Sequence, residues 1–220
     1  MKTLDTLKHY FFVLFAISAL TLTSCDNDDE IPAEEHEHEV ITHVELIFTP
    51  DQGETVTAHA EDHDGEGVEE LEVDGPINLL ANTNYTLTFE ILNELHDDHE
   101  DAEHKVAEGD DEEHAEDIAA EIKEEADEHQ FFFEFTDNAF SDPIGNGNID
   151  NASDPINYAE EDNDINGNPL GLITTWTTGA GTTAGEFTVR LQHQPDIKTS
   201  TTGANDGDSD FDLTFELNIQ

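Results

Sequence analysis

Positive charge is almost missing from this chain. Six Lys and Arg stand against 55 Asp and Glu, a formal charge of -49. That balance excludes nucleic acid and anionic membrane surfaces as electrostatic partners, and it favours cations: metal ions, or a basic patch on another protein. Cysteine is nearly absent too. Cys25 is the only one, so no disulfide can form within the chain and burial must hold the fold together, with bound metal as the other candidate. Apolar residues make up only 35%, yet thirteen Phe argue for a packed core rather than full disorder. Long apolar runs are confined to the first two dozen residues.

That first stretch reads as an address rather than as fold. Lys2 and Lys8 precede "YFFVLFAISAL" (10–20), which is too short for a comfortable membrane span. "LTSC" (22–25) follows and resembles the lipobox of bacterial lipoproteins. The resemblance implies cleavage before Cys25 and acylation of that cysteine. Removal of residues 1–24 takes away only Lys2, Lys8 and Asp5 among the charged residues, so the mature chain stays equally acidic. "DNDDE" (26–30) resembles the acidic signals that send lipoproteins to the outer face of the outer membrane; a periplasm-facing anchor is the alternative. Residues 25–38 then read as an acylated Cys on a flexible acidic tether.

From residue 39 short alternating runs take over, and residues 39–220 read as one domain. "VITHVELIF" (40–48) and "ETVTAHAE" (54–61) flank the turn "PDQG" as a hairpin. "NYTLTFEIL" (84–92) puts Tyr85, Leu87, Phe89 and Ile91 on one face, as a half-buried strand requires. "HQFFFEF" (129–135), "INYAEED" (156–162), "LGLITTWTT" (170–178), "EFTVRLQH" (186–193) and "FDLTFELNI" (211–219) read as further strands. Residues 137–155 and 179–185 read as connectors. The expected fold is mainly β: an antiparallel immunoglobulin-like β-sandwich, with a β-barrel as the alternative. The last strand alternates without fault, which predicts a central position. An insert at 94–128 interrupts the strands. Within it, 109–129 predicts a short acidic helix, with Asp110 as its cap, Glu113 as the reciprocal partner, and an apolar stripe of Ala115, Ile118, Ala119, Ile122 and Ala126.

The same insert opens with "HDDHEDAEHK" (96–105). On a helix, His96, His99, Glu100 and Glu103 share one face, and His104 lies about 80° from His96. Imidazole nitrogen and carboxylate oxygen suit Zn²⁺, Cu²⁺ and other borderline divalent ions. His114 and His129, with the pairs His36/His38 and His59/His63, are further candidate ligands. Histidines set among acids also act as simple charge partners, and tracts of this kind bind metal weakly. The expected ion is therefore exchangeable, with an affinity that falls as imidazoles protonate.

Asp162, Asp164, Asn166 and Gly167 match the opening of a calcium loop, but the twelfth position is Ile173 where an EF-hand needs Glu. A looser calcium site at Asp162, Asp164 and Asn166 is the remaining expectation, and ordinary turn chemistry is the competing one. No G-x-S-x-G, H-E-x-x-H or phosphate-binding loop appears, so no catalytic residue is assigned and no organic cofactor is expected. His129 and His193 at strand ends read as core-rim histidines, Arg190 as a partner of one of the many acids, and Trp176, Tyr85 and Tyr158 as core or surface aromatics.

The lipobox and acidic tether, together with "LTFEILNE" (87–94), "EEADEHQFFFEF" (124–135), "NGNPLGLITTWTTG" (166–179) and "LTFELNIQ" (213–220), resemble a group of small, acidic bacterial outer-membrane or surface lipoproteins. Some of these carry the name type 1 periplasmic binding fold. That architecture needs alternating βα units in two lobes, and this chain offers one helix among strands. The resemblance covers nearly all of the mature chain, and it brings no catalytic residues with it. The expected function is that of a lipid-anchored binding protein that captures Zn or Cu and passes it to an outer-membrane transporter. The alternative is a structural or adhesive surface module whose acids only solvate it.

Overall fold

The structure is a computed structural model that describes residues 40–62, 71–94, 115–150 and 154–220. The described residues are mainly β, with two sheets and one short α-helix among them.

The first sheet grows from a hairpin. Strand β1 (His43–Pro50) buries Val44, Leu46 and Phe48, while His43, Glu45 and Ile47 lie on its other face. The chain reverses at residues 51–55, where Gly53 takes φ +122°, a value that L side chains rarely adopt. It returns as β2 (Val56–Glu61), in register from His43↔Glu61 to Phe48↔Val56. Strand β3 (Glu72–Asp74) extends this edge. On the other side, β5 (Asn84–Asn93) pairs with the whole length of β1. The outer edge of β5 is shared. Its first half pairs with β9 (Thr174–Thr178), and Leu92 and Asn93 pair with the two-residue strand β6 (Glu116–Asp117). Strand β8 (Phe140–Asp142) closes the order β3-β2-β1-β5-β9-β8.

The second sheet has the order β4-β11-β10-β7, formed by β4 (Ile77–Leu79), β7 (His129–Phe135), β10 (Thr182–His193) and β11 (Asp208–Ile219). Its pairs are antiparallel except β4 with β11. The alternating strand β11 occupies an inner position, as its pattern predicts.

Aromatic rings join the two sheets. Phe48 meets Phe187 edge-on at 5.8 Å, Phe89 stacks on Phe131 at 4.6 Å, and Trp176 lies 5.3 Å from both Phe133 and Phe187. Trp176 is fully buried, and its indole N–H donates to Thr174 Oγ1 at 2.7 Å. Each buried Phe contributes roughly 1.5–3 kcal/mol and each favourable ring pair about 0.5–1.5 kcal/mol more, which suits a core that no disulfide supports.

The helix is shorter than its sequence pattern predicts. Helix α1 spans Ile118–Glu124, and Asp117 caps it by accepting a hydrogen bond from Ala120 N–H at 3.1 Å. Residues 116–117 are extended because they pair with β5, so a helix running on from Asp110 is ruled out. Asp110 and Glu113 lie outside the described residues. The predicted stripe holds within the helix and just beyond it: Ile118, Ile122 and Ala126 are buried and Ala119 is partly so. Residues 156–162 also depart from expectation. Only Tyr158 bridges, to Thr174, and a single 3-10 turn follows at Glu160–Asp162. The predicted connector 179–185 instead supplies the start of β10, and the predicted loop 137–155 contains β8.

Candidate functional site

Cys25, His36, His38, His63, His96, His99, Glu100, Glu103, His104 and His114 lie outside the described residues. Their chain neighbours do not. In strand order, Glu72, Glu61, His43, Leu92 and Asp117 form one row of register partners across the first sheet. Residues 63–70 leave from Glu61 and Asp62 and rejoin just before Glu72. Residues 95–114 leave from Asn93 and Glu94 and rejoin just before Glu116, and residues 1–39 lead into His43. Every His-bearing stretch outside the described residues and beyond the leader is thus tied to the same end of the same sheet. The reason is parity: β1 begins, β2 ends, β3 begins, β5 ends and β6 begins at that end.

The outward face of this end carries its own donors. Opposed residues of antiparallel strands point to one side, so the pairings set out a small grid. One row is Glu72, Glu61, His43 and Leu92; the next is Asp74, His59, Glu45 and Glu90. Two imidazoles therefore stand among five carboxylates. The rings of His43 and His59 lie 6.2 Å apart and 13° from parallel. Glu61 Oε1 is 3.8 Å from His43 Nδ1 and 3.8 Å from His59 Nε2, and Asp74 Oδ2 is 3.3 Å from His59 Nε2. His59 is already a candidate ligand from the sequence. His43 is not, since the two are 16 residues apart in the chain and only the hairpin register brings them together. Among the described residues, no three His, Cys, Asp or Glu side chains are already gathered around a common ion position.

The calcium-loop residues are brought together, but around ammonium groups. Asp162 is buried. Its Oδ2 accepts from Gly171 N–H (2.9 Å) and Ile173 N–H (3.1 Å), and its Oδ1 accepts from Lys123 Nζ at 2.7 Å. Asp164 Oδ1 accepts from the N–H groups of Asn166 and Asn168, both at 2.8 Å, and its Oδ2 accepts from the Asn168 side chain at 3.0 Å. Lys198 Nζ lies 3.7 Å from Asp164 Oδ2 and donates to the carbonyls of Ala126 (2.5 Å) and His129 (2.6 Å). Burial works to raise the Asp164 carboxyl, but the hydrogen bonds from Asn168 and Asn166 and the nearby Lys198 outweigh it and hold the group below its usual range. Burial, only partly offset by Asp164, lowers the Lys198 ammonium. Asn166 contributes its backbone. A cation entering this loop has to displace Lys123 from Asp162 and compete with Lys198 at Asp164. An open cavity of about 360 Å³ beside the loop is lined by Lys123, Glu124, Asp127 and Ile165 among others.

His129 and His193 are paired across β7 and β10. Both are buried, and their rings stack at 4.6 Å, 6° from parallel. His129 Nε2 is 3.7 Å from Asp210 Oδ2, and His193 Nε2 is 3.5 Å from Glu128 Oε2. Ring nitrogens donate in the ring plane, so two parallel stacked rings cannot converge on one ion; this pair is structural. Tyr158 serves the core in a similar way. Its hydroxyl donates to Phe131 O at 2.7 Å and accepts from Asn148 Nδ2 at 2.9 Å, and burial pushes its pKa up to about 12.

No protein-family model matches this chain, and no curated protein or solved structure matches it either.

Proposed function

We propose that this protein is a lipid-anchored component of the cell envelope, held by acylated Cys25, that captures divalent metal ions and hands them to an outer-membrane transporter. Zinc or copper is the ion expected. The proposed ligands are His96, His99, Glu100, Glu103, His104 and His114 of the insert. The observation that carries this reading is the convergence of chain: the flanks of the insert sit on the sheet row that also holds His43 and Glu61. Imidazole and carboxylate donors near one another, in a chain of charge -49, favour a doubly charged ion over any anionic partner.

Isothermal titration of residues 26–220 with Zn²⁺, Cu²⁺ and Ca²⁺ tests the proposal. Saturable heat is expected for zinc or copper, weaker at acid pH as protons compete for imidazole nitrogen. Replacing His96, His99 and His104 by Gln should reduce it. Absence of heat above the buffer blank at high micromolar metal would end the metal reading and leave a solvated surface module.

A further inference from the structure

The geometry points to a second metal site on the folded sheet itself: His43, His59, Glu61 and Asp74 form an exchangeable divalent-cation site on the outward face of β1, β2 and β3. It goes beyond the insert-based reading, because none of its donors belongs to the insert.

Three observations carry it. First, the donors are of the right kind and held by backbone pairing. His43 and Glu61 are opposed across β1 and β2, and His59 and Asp74 across β2 and β3, so their placement does not depend on a loop. Second, three of the six donor pairs are spaced close to what an ion needs. Ligands about 2.1 Å from a tetrahedral zinc lie about 3.4 Å from one another; here the nitrogen-to-oxygen separations are 3.8, 3.8 and 3.3 Å, with Glu61 Oε1 equidistant from the two rings. Third, His43 Nδ1 is a buried ring nitrogen that makes no hydrogen bond, and a buried polar atom in that state gains from a ligand.

The metal-free side chains do not yet surround one point. The carboxylates and the His59 ring are the parts able to close the gap. The Asp74, Glu61 and His59 side chains are 81%, 39% and 35% exposed, whereas His43 is only 17% exposed and stays put. The two rings are 13° from parallel, so closure needs the His59 ring to turn and the carboxylate arms to rotate, with no movement of the sheet. Such a site exchanges its ion readily. Glu45 and Glu90 beside it on the grid add negative potential without entering the ligand set. Mixed nitrogen and oxygen donors select Zn²⁺ or Cu²⁺ over Ca²⁺.

The test uses the full chain with His96, His99, His104 and His114 all replaced by Gln, titrated with Zn²⁺ by calorimetry and with Cu²⁺ by electron paramagnetic resonance. One ion per chain is expected to remain, with nitrogen hyperfine structure in the copper spectrum. Adding His59→Gln should weaken zinc at least tenfold and remove one nitrogen coupling, and Glu61→Gln should weaken it less. His59 is on the surface of a paired strand, and circular dichroism checks that both variants stay folded. If the four-Gln protein binds nothing while the wild type does, this inference fails and the insert reading stands. If it binds as the wild type does and loses the ion with His59→Gln, the sheet site stands and the insert reading falls. Retained, undiminished binding in His43→Gln and His59→Gln overturns the sheet site outright.

Discussion

Single side chains in this fold do unequal jobs according to what surrounds them, and histidine shows it best. His43 and His59 lie among acids on the outward face of the first sheet, with side chains 17% and 35% exposed. His129 is 1% exposed. Its burial first, then the neighbouring His193 and Lys198, lower its pKa from 6.5 to about 4 against a smaller opposing effect of the Glu125 carbonyl. Glu125, Glu128 and Asp210 are the acids that face the pair. Because the folded state holds the ring neutral, the unfolded chain binds more protons between about pH 6.5 and pH 4, and stability falls as pH drops through that window. A shift of this size corresponds to roughly 3 kcal/mol. Urea unfolding at pH 7 and pH 4.5 should show the wild type losing roughly 2–3 kcal/mol more than His129→Gln. Equal losses in the two proteins would contradict the buried neutral ring.

Short elements here are held by their ends and edges more than by intrinsic propensity. A seven-residue helix is too short to be stable alone. Packing of Ile118 and Ile122 and the Asp117 cap hold α1 in place. Asp117→Ala should cost about 1 kcal/mol in chemical denaturation, and Asp117→Ser should recover most of it; a neutral Ala variant would show that β6 pairing alone sets the helix start. Strand β7 gives the same lesson. One edge pairs with β10, and the other is covered by irregular chain: Phe131 N–H donates to Leu170 O at 2.7 Å, Phe135 N–H to Asn146 O at 2.9 Å, and Phe133 N–H to Asn148 Oδ1 at 2.9 Å. Gly147 sits close to this edge, where an added Cβ would collide with the Phe133 carbonyl. Cross-strand Arg190 to Asp212, with Nε donating at 2.8 Å, is an exposed pair of the kind that contributes about 0–1 kcal/mol.

Across the whole molecule, like-charge repulsion is the main force acting against the core. A formal charge of -49 over the whole chain opposes compaction, and salt relieves it because the screening length is about 10 Å at 0.1 M and about 3 Å at 1 M. The melting temperature should therefore rise with NaCl. At matched ionic strength, ZnCl₂ should raise it further if metal is bound, since an ion that prefers the folded state stabilises by mass action. Differential scanning calorimetry across an NaCl series checks the first effect, and a flat series would show that the acids are too far apart to repel one another.

Period-two patterns settled much of this fold before any tertiary information. The faces of β5 and β11, the inner place of β11, and the mainly β, two-sheet class are legible because alternation is a local property set by the strand backbone. So was the chemistry of the donors, since His and acid content is visible residue by residue. Other features needed the third dimension. The start of α1 was decided by β6 pairing with β5. The Asp162 and Asp164 loop resembles calcium chemistry in sequence, but Lys123 and Lys198, 39 and 34 positions away, occupy its oxygens only after folding. The His43 and His59 face, and the tethering of the His-bearing stretches to one sheet end, depend on strand register and parity. Those are long-range properties: a one-residue slip would turn the same side chains into the core, and no local window of sequence records the pairing.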